Sequence, residues 1–268
     1  MTDTTTGEVT SKDGTRIVFD RTGEGPPLIL VGGALNNRGS GAPYAAPLSA
    51  SFTVYAYDRR GRGDSADTPP YAVDREVEDL LALIEEAGGS AFLFGHSSGA
   101  ALVLETAARA DGIEKIALYE PPYNVDDSRA PVPPDYVAHL DELIAEGRRG
   151  DAVEYFMVVG VGMPPEAVAP MRDAPFWPYL EAVAHTIAYD GRVMGFDEAD
   201  HSLPVERWKA IEAPALVMDG DASPDWGRNA VQAVTDALPN AERRSLPGQT
   251  HEVEPAVLAP ALVDFFLG

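Results

Sequence analysis

Short apolar runs alternate along the chain with longer stretches in which apolar residues recur every three or four positions. The runs at 28–31, 53–57, 91–94, 115–119, 215–218 and 242–246 are short and mostly bounded by turn residues, which predicts buried strands. Between them, 73–87 places Val77, Leu80, Leu81 and Ile84 on one helical face before Gly88-Gly89 stops it. Segments 100–110 and 255–267 predict helices in the same way. Ahead of the first run, 8–10 and 15–21 flank Lys12-Asp13-Gly14, a hairpin signal because Asp-Gly supplies positive φ. Strand and helix in alternation argue for an α/β fold, a mostly parallel central sheet flanked by crossover helices.

The rhythm breaks between 121 and 203, where helical patterns and prolines occur without a convincing strand. The expectation is a helical cap over 121–203, inserted into a core formed by 1–120 and 204–268. The cap segment carries nine of the 22 aromatic residues and four of the six methionines. Phe156, Met157, Met163, Phe176, Trp177 and Tyr179 are therefore candidates for a pliable apolar pocket wall, packing against the core being the alternative.

Composition narrows the function. With 43 acidic against 20 basic residues the formal charge is −23, so nucleic acid and anionic membrane surfaces are repelled. The absence of cysteine excludes disulfides, thiolate catalysis and thiolate metal sites, leaving oxygen or nitrogen as nucleophile. The first ten residues are polar and acidic, and no apolar run approaches the roughly 18 residues of a membrane span. A cytoplasmic location is the default expectation, and no segment argues for a particular oligomeric state.

The sharpest local signal is Gly95-His96-Ser97-Ser98-Gly99, directly after one predicted strand and before a predicted helix. That context makes it a nucleophile elbow, with Ser97 held exposed at a turn too tight for flanking side chains. At the helix N-terminus, the Ser98 N–H is placed to bind a developing oxyanion. A serine hydroxyl needs a base, and histidine has the suitable pKa. Five are available. His96 points away from the nucleophile in such a turn, His139 and His201 lie among acidic residues as on a solvated surface, and His185 in the cap either reaches a substrate or packs. The histidines are scattered, with no pair or cluster suited to a metal.

With this elbow, essentially the whole chain resembles the α/β-hydrolase fold. Val31-Gly32-Gly33-Ala34 matches that family's oxyanion loop, which implies Ala34 as the second N–H donor, although Gly32 stands where the family often has histidine. Asp58-Arg59-Arg60-Gly61-Arg62-Gly63-Asp64-Ser65 resembles the family's structural turn. It also matches G-x-G-x-x-A, but Thr68-Pro69-Pro70 prevents the helix that a nicotinamide cofactor requires. His251, between the last strand and the last helix, sits where the family carries its catalytic histidine.

The acid departs from the commonest pattern. In Gly220-Asp221-Ala222-Ser223-Pro224 the resemblance puts the expected aspartate at Ser223, which carries no charge. The fold's other place is the end of the preceding strand, where Glu120 stands, and a glutamate closing an apolar run is costly to bury unless paired. Glu120 is the first choice, Asp221 the second and Asp219 the third. An acid at the Glu120 place, together with Ser97-Ser98-Gly99, is similar to zearalenone-type lactone hydrolases. The implied activity is a cofactor-free and metal-free serine hydrolase; the cap composition, with a mild bias from the net negative charge, favours a small, apolar, uncharged ester or lactone, with Phe156, Met157, Trp177 and His185 as pocket candidates. Carbon-carbon bond hydrolases, haloperoxidases and lyases use the same serine site, and a hydrolase-fold binding protein with little turnover is the rival of a different class.

Overall fold

The computed structural model describes residues 3–198 and 202–268; His201, read above as a surface residue, lies outside them. Eight strands, β1 (Thr4–Thr10), β2 (Arg16–Thr22), β3 (Pro27–Val31), β4 (Thr53–Tyr57), β5 (Ala91–His96), β6 (Ile113–Tyr119), β7 (Ala215–Gly220) and β8 (Ala241–Leu246), form one sheet in the order β1-β2-β4-β3-β5-β6-β7-β8. The β1–β2 hairpin and the β2–β4 pair are antiparallel, and every pair from β4 to β8 is parallel. The result is a mostly parallel sheet flanked by helices, the architecture that the resemblance to the α/β-hydrolase fold implies.

The parallel strands are apolar on both faces because helices cover both. On one side, α2 (Val73–Glu86), α3 (Ser98–Ala107) and α10 (Asp225–Ala237) bury Leu80, Leu83, Leu102, Leu104, Val231 and Val234 with Ile29, Leu93, Ile116 and Val217. On the other, α1 (Arg38–Leu48) and α11 (Pro255–Leu267) bury Leu48, Leu258, Leu262 and Phe266 with Leu28, Phe94 and Met218.

Some elements differ from the sequence pattern. Leu81, expected on the inner face of α2, is exposed while Leu83 is fully buried, because the contact face is centred on Leu80, Leu83 and Ile84. The strand at 242–246 was expected to be buried. It is the sheet edge, and Glu242 and Arg243 are exposed there. Helix α1 escaped periodicity altogether, since Gly39, Gly41, Pro43 and Pro47 hide it, and an Asn37–Ser40 capping box starts it instead.

Between β6 and β7 the described residues contain helices and no strand: α4 (Tyr136–Ala145), α5 (Arg149–Tyr155), which runs into a π-helical turn at Phe156–Val161, α6 (Pro165–Val168), α7 (Trp177–Val183), α8 (Ile187–Val193) and α9 (Val205–Trp208). Val137, Leu140, Leu143, Val153, Trp177 and Ile187 give this insertion a hydrophobic cluster of its own.

Candidate active site

Ser97 stands alone between the end of β5 and the start of α3, at φ 57° and ψ −128°. A Cβ on Gly95 would lie 2.5 Å from the Ala100 Cα, and one on Gly99 would lie 2.2 Å from the Val31 carbonyl oxygen, so neither position admits a side chain. The Ser97 N–H donates to the Tyr119 carbonyl of the neighbouring strand at 2.9 Å.

The next residue on that strand side, Glu120, also has a left-handed backbone, φ 46°. This turns its carboxylate toward the loop after β8. There Oε2 meets Nδ1 of His251 at 2.9 Å, and Oε1 accepts the Gly220 N–H at 2.9 Å and the Ser223 hydroxyl. Burial alone would raise the Glu120 carboxyl, but the bonds from His251, Gly220 and Ser223 outweigh it and hold the group below its ordinary value. Ser223, the residue at the place of the expected aspartate, thus holds the Glu120 carboxylate. Asp221 accepts the Gly248 N–H, and Asp219 is taken by Arg243 and Ser245, so neither shares a hydrogen bond with His251.

The His251 segment is fixed through its backbone. His96 Nε2 lies 2.9 Å from the His251 carbonyl, the Tyr119 hydroxyl donates to the Thr250 carbonyl at 2.6 Å, and Gly220 lies so close that a Cβ would fall 2.1 Å from the Gln249 oxygen. Ser97, Glu120, His251, Ala34 and Ser98 all border one cavity of about 370 Å³, with Tyr136, Phe156, Ile187, Met194, Phe196 and Trp226 as its apolar wall. Of the pocket candidates, Phe156 alone is on this wall. Trp177 is buried within the insertion and donates to Glu181, Met157 packs against the same cluster, and His185 lies between Arg149 and Asp67. His139 is half exposed beside Glu142 and Tyr155.

Periodicity missed a buried ion network behind the cavity. Arg59 pairs with Glu76 at 2.7 Å and with Asp190 Oδ1 at 2.6 Å, Arg62 pairs with Asp190 Oδ2 at 2.6 Å, and the Ser98 hydroxyl donates to Asp190 Oδ1 at 2.8 Å. The turn 58–65 was read as structural, and its arginines reach further than that reading foresaw. Arg62 Nη1 donates to the Gly33 carbonyl at 2.6 Å, and Arg59 Nη1 donates to that of Gly32 at 3.3 Å. In a trans peptide the carbonyl and the following N–H point opposite ways, so the bond to Gly33 sets the direction of the Ala34 N–H. These arginines anchor the loop at the place where the family often has a histidine. Burial alone would raise Asp190, yet Arg59 and Arg62 hold it below its ordinary value.

Two outcomes follow for stability. Asp190→Ala leaves two buried guanidiniums short of a partner and is expected to lower the unfolding free energy by about 3–5 kcal/mol; in the same denaturant titration Arg148→Ala, which breaks an exposed pair with Asp151, is expected to leave the midpoint in place. Burial and the neighbouring His251 lower His96 from 6.5 to about 4. Between those values the unfolded chain binds a proton that the folded chain refuses, so stability falls as pH drops from 6.5 toward about 4. Denaturation across that range is expected to show a shallower slope for His96→Gln than for the parent.

Comparison with known proteins agrees with this geometry. A family model described as "Alpha/beta hydrolase family" matches residues 28–263. An alpha/beta hydrolase from Sphaerobacter thermophilus of solved structure is 58% identical, covers 97% of this chain and 100% of its own, and superposes with a TM-score of 0.90. Among curated proteins, a 2-(acetamidomethylene)succinate hydrolase from Mesorhizobium japonicum is 26% identical over 91% of this chain and 88% of its own length. A non-heme chloroperoxidase from Kitasatospora aureofaciens is 26% identical over 91% of each. An elbow serine, a histidine–carboxylate pair and an anchored glycine loop on this sheet, with a family model spanning most of the sequence, place the chain in the alpha/beta hydrolase family.

Proposed function

We propose that this chain is a cofactor-free serine hydrolase that cleaves a small ester or lactone through an acyl-enzyme on Ser97. The observation that carries the reading is the 2.9 Å contact between Glu120 and His251 on the cavity that Ser97 also borders. With Nδ1–H given to Glu120, the imidazole keeps its Nε2 lone pair for the Ser97 proton. Ser97 Oγ then attacks the carbonyl, and the N–H groups of Ser98 and Ala34 receive the oxyanion. The imidazolium, stabilised by Glu120, passes its proton to the leaving alkoxide. Water, deprotonated by the same histidine, attacks the acyl carbon; the bond to Ser97 Oγ then breaks, the imidazolium returns the proton to that oxygen, and the acid is released.

The insertion acts as a cap, enclosing a cavity near the small end of the usual range for ligand sites. The paired Glu120 and His251 argue against a binding protein with little turnover. The chloroperoxidase relative shows that the family extends to halogenation, and product analysis separates that reaction from hydrolysis.

Treatment with a fluorophosphonate followed by intact-mass analysis is expected to give a single adduct on the parent and none on Ser97→Ala; an unlabelled parent would count against an activated serine. In steady-state assays Glu120→Gln is expected to lower kcat by about 10⁴-fold. Asp221→Asn is expected to stay within a few-fold of the parent, and the reverse order would move the acid to the turn after β7.

A further inference from the structure

The cavity wall carries two carboxylates and one guanidinium. Glu120 is engaged by His251, Gly220 and Ser223, and Asp190 by Arg59, Arg62 and Ser98. Arg129, which precedes α4, is different. It donates to the Gly160 carbonyl and lies over the Trp226 ring at 4.4 Å, but among the described residues it has no carboxylate within ion-pair distance. A carbonyl and an aromatic face orient a guanidinium without neutralising it.

Among the described residues Arg21 and Arg149 also have no carboxylate within ion-pair distance, but neither lines this cavity. The three arginines buried in the core, Arg59, Arg60 and Arg62, each face a carboxylate, and 43 acidic residues were available to supply one more. Burial also pushes the Arg129 guanidinium below its ordinary value, the direction expected when a charge loses water and gains no counter-ion. The remaining wall, from Tyr136 and Phe156 to Phe196 and Trp226, is largely apolar and suits a short hydrocarbon spacer.

We propose that Arg129 receives a carboxylate on the substrate, so that the compound cleaved at Ser97 is an acid-bearing ester or lactone. This rests on the serine-hydrolase reading and changes its substrate from the uncharged one expected from composition. The planar fork of a guanidinium matches a carboxylate in two parallel bonds, which fixes the orientation of the bound acid as well as its affinity. The chemistry at Ser97 is unaltered: the acid group is a handle and takes no part in bond making.

The test compares monoethyl succinate with ethyl 4-methylpentanoate, in which an isopropyl group replaces the carboxylate, on the full-length parent, Arg129→Met and Arg129→Lys. The parent is expected to favour the charged ester in kcat/KM. Arg129→Met is expected to lose about 10- to 100-fold on that ester, mainly through KM, while its rate on the neutral ester stays within a few-fold. Arg129→Lys is expected to recover part of the loss. A parent that prefers the neutral ester, or an Arg129→Met variant that loses equally on both, overturns the proposal. Fluorophosphonate labelling of Arg129→Met at Ser97 shows that the site is intact in the variant. If the parent cleaves neither ester, calorimetry with succinate decides: binding that disappears in Arg129→Met supports the carboxylate site and isolates the failure to the hydrolase reading, whereas no binding to the parent overturns the Arg129 assignment.

Discussion

Asp190 belongs to the insertion, yet both of its oxygens are taken from the sheet side, Oδ1 by Arg59 and Ser98 and Oδ2 by Arg62. With Glu76 opposite Arg59, two guanidiniums face two carboxylates and the buried set carries no net charge. Such a network adds little to stability over a well-packed apolar core, because desolvation consumes most of the Coulomb gain. Its effect here is directional. The same arginines hold the carbonyls of Gly32 and Gly33, and the same aspartate holds the hydroxyl of Ser98. The insertion, the glycine loop and the first residue of α3 are therefore set by one carboxylate, and a shift of α8 would be felt at both proposed oxyanion donors.

Backbone strain gathers at the same place. Among the described residues the non-glycine residues with positive φ are Leu35, Ser97 and Glu120: one beside the glycine loop, one at the elbow and one at the proposed acid. Each conformation costs about 1–3 kcal/mol and persists because its surroundings leave no alternative. For Ser97 the surroundings are the bare glycines on either side; for Glu120 they are the backbone bond to Met218 and the carboxylate bonds to Gly220, Ser223 and His251. The strain points side chains at one another in a way that relaxed strands and helices would not.

Strand positions, the elbow, Ser97 and His251 were legible because each is local: an apolar run, a glycine pair, a histidine between the last strand and helix. Glu120 was legible for a physical reason, since a glutamate ending a buried run must find partners. Which partners was not. Ser223 reads as a missing aspartate until its hydroxyl is seen on Glu120. The arginines of the 58–65 turn read as a structural motif because the contacts that tie them to the insertion, at Thr186 and Asp190, lie more than a hundred residues away. The cavity wall was least legible. Aromatic content marked the insertion but could not separate Phe156, which faces the cavity, from Trp177, which packs inside the insertion. That distinction depends on how short helices turn relative to the sheet, and helices of four to seven residues leave almost no periodic signal.

Charge illustrates the same limit of summed properties. A formal charge of −23 disfavours the approach of an anion from solution, and that mild bias, added to the apolar composition of the insertion, makes an uncharged substrate the expectation from sequence. Solvent and salt screen that field over about 8 Å, whereas a guanidinium inside a half-closed apolar cavity acts at contact distance in a medium that screens far less. The two effects therefore govern different quantities. The surface charge bears on the rate at which an anionic compound arrives, and its influence fades with added salt, while the interior cation bears on how firmly the compound is held and which way it faces Ser97.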